Sequence, residues 1–214
     1  MSSQSIFITG ISTEVGKTVA AAVAVSALQA DYWKPIQSGA QTDSDTATIQ
    51  ALCKDKHGRI HPEYIKLPEP LSPHAAAEKE GILLNLQDIT RPVTQNTLII
   101  EGAGGLLVPL NHKHLIADLL QPQDHIILVS KHYLGSINHT LLSYNYLKSK
   151  GFQKIAIWFS GQPNPSSEQA IRRHASAFYL QSIEQASRLS PEWISQQASH
   201  ISESLSAFLN WNKM

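Results

Sequence analysis

The sequence predicts a single doubly wound α/β domain spanning residues 1–214, with a mostly parallel sheet flanked by helices. Three observations support this. Short runs at 5–10, 97–105, 125–130 and 154–161 are apolar throughout instead of alternating. A strand of that kind needs cover on both faces, as a parallel sheet between helical layers provides. Helical patterns lie between and after these runs, and a glycine-rich loop ending in Gly-Lys-Thr joins the first run to the first helix.

Taken in order, SIFITG (5–10) is the first strand, and KTVAAAVAVSALQA (17–30) is apolar nearly all round, which predicts a buried crossover helix. In WKPIQSG (33–39) Lys34 ends a further strand and is locked by Pro35. The polar stretch from Gln37 to Ser44 and the proline-rich LPEPLSPH (67–74) read as ordered surface loops at the sheet's edge, not as linkers. TLIIEGAGG (97–105) and HIILVS (125–130) are strands. INHTLLSYNYLKSK (137–150) places Ile137, Leu141 and Tyr144 at helical spacing, with Gly151 as a stop. After the strand KIAIWFSG (154–161), a last helix is capped by Ser190, takes Pro191 in its first turn, and carries the stripe Ile194, Ala198, Ile201, Leu205 and Phe208.

Lysine plus arginine number 17, as do aspartate plus glutamate, so no basic field calls for nucleic acid or an anionic membrane. Cys53 is the single cysteine, which excludes an internal disulfide and a cysteine zinc cage and fits a reducing cytosol. No apolar stretch approaches the ~20 residues of a membrane-spanning helix, and MSSQS lacks the basic start of a signal peptide. The expectation is a soluble cytoplasmic protein without nucleic-acid or membrane partners.

Chemistry is concentrated in a few stretches. GISTEVGKT (10–18) has the context of a phosphate loop, between strand and helix, but five residues separate Gly10 from Gly16 where the usual pattern has four. Its backbone N–H groups and the helix start would cradle phosphate oxygens, Lys17 would neutralise them, and the Thr18 hydroxyl would reach Mg²⁺. The fold is then of the phosphate-loop nucleoside-triphosphatase type. Glu101, leaving a buried strand before Gly-Ala-Gly-Gly, would also reach Mg²⁺, since a carboxylate there without a cation is costly to desolvate. Asp45 opens a helical pattern at 44–48; alone it reads as an N-cap, and beside a phosphate loop it completes a metal site. Gly135 and Ser136 mark a helix start whose free N–H groups either bind an anion or are ordinarily capped.

Together these stretches resemble the dethiobiotin synthetases, ATP-dependent ring-closing enzymes of biotin synthesis. The resemblance rests on GISTEVGKT, KPIQSG, the Ser-Asp at 44–45, SPH (72–74), EGAGG (101–105) and LGSINH (134–139), in that order, over about the first 160 residues. It implies that 7,8-diaminononanoate and CO₂ are joined and closed into a ring at the expense of ATP. It implies Lys34, Lys17 and Thr13 as catalytic residues. ATP would be bound by Glu14, Val15, Gly16, Lys17, Thr18, Val19, Asp45, Glu101, Gly102, Ala103 and Gly104, and the diamine by Thr13, Lys34, Ser38 and Asn138. Mg²⁺ would sit on Thr18, Asp45 and Glu101, and the extra loop length would turn Thr13 and Glu14 toward the second substrate. A homodimer is implied, with LGSINH at the two-fold axis.

Rival readings are weaker. A partitioning ATPase would carry an additional lysine inside the loop, and none lies between Gly10 and Lys17. A corrinoid amidotransferase would need a fused glutaminase domain with a nucleophilic cysteine. A pure binding module is the third alternative. One departure from the resemblance is clear: many family members carry an asparagine that pairs with adenine after the strand IAIWFS, where Gly161 stands here, and the region 180–186 has no Gly-Glu-Ile-Pro segment.

Overall fold

The computed structural model describes residues 4–40, 44–183 and 185–211. Its elements run β1 (Ser5–Gly10), α1 (Lys17–Leu28), β2 (Asp31–Trp33), β3 (Ile36–Ser38), α2 (Asp45–Cys53), β4 (Ile60–His61), β5 (Ile65–Leu67), α3 (Pro73–Lys79), β6 (Leu98–Gly105), β7 (His125–Lys131), α4 (Ser136–Ser149), β8 (Ile155–Ser160), α5 (Pro165–His174), β9 (Phe178–Tyr179) and α6 (Pro191–Leu209). Seven strands form one sheet in the order β4-β2-β6-β1-β7-β8-β9, and every pairing in it is parallel. That is the doubly wound arrangement expected from the sequence.

The continuous apolar runs are explained by the two cores they serve. On β1, Ile6 and Ile8 pack with the alanines of α1 and with Ile194, Ile201, Leu205 and Phe208 of α6. Phe7, between them, points to the opposite face, into the second core, which also holds Tyr144 and Leu147 of α4 and Ile171 of α5. Strand β7 divides likewise, Ile127 and Val129 on one face and Ile126 and Leu128 on the other. Helix α6 begins as its sequence indicates: the Trp193 N–H donates to the Ser190 hydroxyl at 3.2 Å, and Pro191 takes the first turn.

Register then sets the site. Parallel strands end on one edge, where ligands of such folds bind. Ile8 pairs with Glu101 and Trp33 with Ile100, so Lys34, the residue after Trp33, falls level with Glu101 at the carboxyl end of the sheet. Three features depart from the sequence reading. Residues 36–38 form a strand that pairs with β5 in a separate two-stranded parallel sheet, while residues 41–43 of the expected 37–44 loop lie outside the described residues. The expected loop at 67–74 shrinks to 68–72, because Pro73 takes the first position of α3, where its fixed φ suits a helix start. Helix α5 was not expected, and Asn164 caps it by accepting from the Ser167 N–H at 3.0 Å. Among the described residues no helix is long and apolar enough to cross a membrane.

Candidate active site

The loop from β1 to α1 depends on two glycines. A Cβ on Gly10 would lie 2.5 Å from Val15 Cγ2 and 2.9 Å from the Ser12 carbonyl oxygen, so only glycine permits this close return of the chain. Gly16 sits at φ +92°, and Glu14 takes a left-handed φ of +54°, turning the backbone sharply before the first helical N–H groups. The loop is anchored from neighbouring strands: the Ser160 hydroxyl donates to the Val15 carbonyl at 2.7 Å, and Lys131 Nζ to that of Glu14 at 3.4 Å. Lys17 Nζ folds back to donate to the Ser12 carbonyl at 3.0 Å. Burial lowers the Lys17 ammonium to about 8, against the opposing pull of Glu101.

Beside the loop, α1, α2, β2 and β6 bring one cluster together. Thr18 Oγ1 lies 2.6 Å from Asp45 Oδ1 and 2.9 Å from Glu101 Oε1. Lys34 Nζ lies 2.6 Å from Asp45 Oδ2 and 3.1 Å from Glu101 Oε1. Burial alone would lower the Lys34 ammonium, but Glu101 and Asp45 more than offset it and hold it above the ordinary lysine value. Burial works the other way on Asp45, and the Lys34 charge overcomes it, keeping that carboxyl below its ordinary range. Asp45 is not the N-cap that the isolated motif suggested. Ser44 takes that place, accepting from the Ala47 N–H at 3.3 Å, which leaves the Asp45 carboxylate free to face Thr18 and Lys34.

Two clefts flank the phosphate loop. The larger, about 650 Å³, brings Thr13, Lys17, Thr18, Lys34, Ser38, Asp45, Glu101, Ala103 and Gly104 onto one lining. Ser38 Oγ is buried with no hydrogen-bond partner among the described residues. The smaller, about 230 Å³, is lined by Val15, Ser160, Gly161, Ile183, Leu189 and Trp193 among others, and Glu14, Gly16 and Val19 line both. Two residues singled out in the sequence lie elsewhere. Gly102 is enclosed in β6, where a Cβ would meet Phe7 at 3.0 Å, and Asn138 is exposed on α4.

The donor set around Thr18 is all oxygen, which fits a hard dication such as Mg²⁺. Among the described residues no three His, Cys, Asp or Glu side chains converge. Such an ion would therefore be shared between the Thr18 hydroxyl, the two carboxylates and the oxygens of a bound polyphosphate.

The profile of the family described as an AAA domain matches residues 4–193. The ATP-dependent dethiobiotin synthetase of Christiangramia forsetii is 55% identical over 170 residues, 79% of this chain and 82% of that protein. That of Cytophaga hutchinsonii is 44% identical over 207 residues, 96% of this chain and 97% of that protein. The chain belongs to the dethiobiotin synthetase family.

A solved structure with the same fold is a plasmid partition protein of Borrelia burgdorferi bound to AMPPNP, with a TM-score of 0.56 at 10% identity over 96% of this chain and all of the other. At that identity the likeness concerns fold alone, and the partitioning alternative gains nothing from it. Sequence reasoning missed several residues of the site. Tyr32 donates to Glu101 Oε2 at 2.9 Å, and Gln37 Oε1 accepts the Asp45 N–H at 3.0 Å. Leu189 and Trp193 wall the smaller cleft. An aromatic in a buried strand carries no local mark of such a role, whereas Tyr32 and Lys34, two apart on extended chain, share a face and offered a signal.

Proposed function

We propose that the larger cleft holds the diamine against the triphosphate end of ATP, the smaller cleft holds the base, and the chain thereby closes 7,8-diaminononanoate and CO₂ into dethiobiotin, releasing ADP and phosphate. The observation that carries this is the convergence of Lys17, Lys34, Thr18, Asp45 and Glu101 on the lining of the larger cleft, next to the loop residues Glu14 and Gly16 that both clefts share. One amine takes up CO₂ and loses a proton to give a carbamate. A carbamate oxygen attacks the γ-phosphorus as the bond to ADP breaks, and the second amine attacks the carbonyl carbon, expelling phosphate and closing the ring. An anion must approach a polyphosphate, and the two ammonium groups supply preorganised positive charge there. Mg²⁺, held by Thr18, Asp45 and Glu101, would add charge neutralisation along the phosphates. The Ser38 hydroxyl, without a hydrogen-bond partner among the described residues, orients an amine, and Ile36, Leu71 and Val108 take the alkyl chain. ADP release measured with and without the diamine and bicarbonate tests the reading: release should need both, and release indifferent to them would refute it.

The second copy of the chain belongs to the same reading. Asn138 and Leu142 are four residues apart on α4 and share an exposed face, and Leu134, just before that helix, is fully exposed. A homodimer through this face would bring Asn138 to the partner's diamine. Light scattering at assay concentration should give the dimer mass; a fully active monomer would contradict it.

Base choice should be relaxed. Gly161 has no side chain to read a base edge, its N–H is spent on the Ile183 carbonyl at 3.1 Å, and the Ser160 hydroxyl on Val15. Trp193, Leu189 and Ile183 offer packing that every base satisfies. One or two missing hydrogen bonds at ~0.5–1.5 kcal/mol each remove about tenfold in affinity for the adenine base. GTP or CTP should therefore support kcat/KM within roughly tenfold of ATP, and a hundredfold preference for ATP would show otherwise.

A further inference from the structure

We propose that Tyr32 is a positioning residue for the divalent cation, its phenol holding one oxygen of the Glu101 carboxylate so that the other faces Thr18 and Lys34. The inference rests on Glu101 acting as a metal ligand.

The two oxygens of Glu101 are divided by partner. Oε2 accepts from the Tyr32 hydroxyl at 2.9 Å, inside the protein. Oε1 lies 2.9 Å from Thr18 Oγ1 and 3.1 Å from Lys34 Nζ. Glu101 is 1% exposed and Tyr32 wholly buried, so no solvent replaces the phenol if it is lost. The fold explains why the contact is rigid. Tyr32 pairs with Ile99 across the β2–β6 ladder, two residues before Glu101, and its wholly buried side chain belongs to the core that also holds residues of α1 and α2. A carboxylate with one oxygen tied to a fixed donor cannot swing about its terminal bond, and the donor that orients a metal ligand is commonly worth 10–100-fold in metal affinity. A buried tyrosine hydroxyl also needs a partner for ordinary reasons, and that structural role predicts lost stability with unchanged metal affinity.

The test is Tyr32→Phe, which keeps the ring and removes the hydroxyl, with Tyr32→Met as a second filling of the same space. Mn²⁺ is titrated into each protein with a non-hydrolysable ATP analogue and followed by calorimetry. Both variants should bind Mn²⁺ about tenfold more weakly than wild type, while analogue affinity without metal changes less than about twofold. The half-saturating Mg²⁺ for turnover should rise in proportion, with kcat recovering at high Mg²⁺. Melting curves with and without Mn²⁺ supply a second measurement if either variant is only marginally folded. Variants that melt earlier yet bind Mn²⁺ as tightly as wild type overturn the proposal. A wild-type protein that binds no Mn²⁺ with the analogue overturns the metal assignment and this inference with it.

Discussion

Replacing Lys34 with alanine is expected to lower turnover about 10²–10³-fold, the usual cost of removing a preorganised donor at a developing charge. Lys34 lies 2.6 Å from Asp45 and 3.1 Å from Glu101, level with the end of β6, and is held charged by those two carboxylates. With Lys17 it is one of the two lysines on the larger cleft's lining. The variant should lose stability too. Glu101 would keep Thr18 and Tyr32 as hydrogen-bond partners but lose a buried counter-charge, a change that commonly costs about 3–5 kcal/mol. Steady-state kinetics, with analogue binding as the check on folding, separate the two effects. A near-wild-type kcat would remove Lys34 from the mechanism.

Gly10→Ala is expected to weaken nucleotide binding about 10–100-fold, because the loop can accommodate a methyl group only by moving. The added carbon would lie 2.5 Å from Val15 Cγ2 and 2.9 Å from the Ser12 carbonyl oxygen. Val15 is buried and its carbonyl is held by Ser160, and Ser12 is a backbone contact that also receives Lys17, so neither neighbour yields without displacing the loop. Direct titration of an ATP analogue measures the change. Affinity within about twofold of wild type would mean that the loop geometry tolerates what the distances forbid.

The parts of the fold that were readable in the sequence are those with long-range apolar demand. β1, β6, β7 and β8 are six to eight residues long and face two cores, so they show as unbroken runs. Strands β3, β5 and β9 are two or three residues long and exist through pairing, which leaves no periodic trace. Helix α5 buries only Ile171 among its ten residues, so it has no apolar stripe, and its one readable mark was the Asn164-Pro165 start. In the site, the phosphate loop, Lys34 and Glu101 could be identified because chain chemistry and element ends coincide there. Asp45 was legible as a site residue only beside the phosphate loop, since alone it reads as a cap, a place that Ser44, one residue earlier, takes. Tyr32 could not be assigned its partner, since Glu101 lies 69 residues away and only the sheet register joins them.

Following carbon through the reaction shows whether this chain closes the ring. The protein is incubated with ATP, Mg²⁺, 7,8-diaminononanoate and carbon-13-labelled bicarbonate, and the products are resolved by mass spectrometry. Dethiobiotin should carry the label in its ureido carbonyl, formed in equimolar amount with ADP and only when the diamine is present. ADP formed at the same rate without diamine, or no labelled ring product, would contradict it.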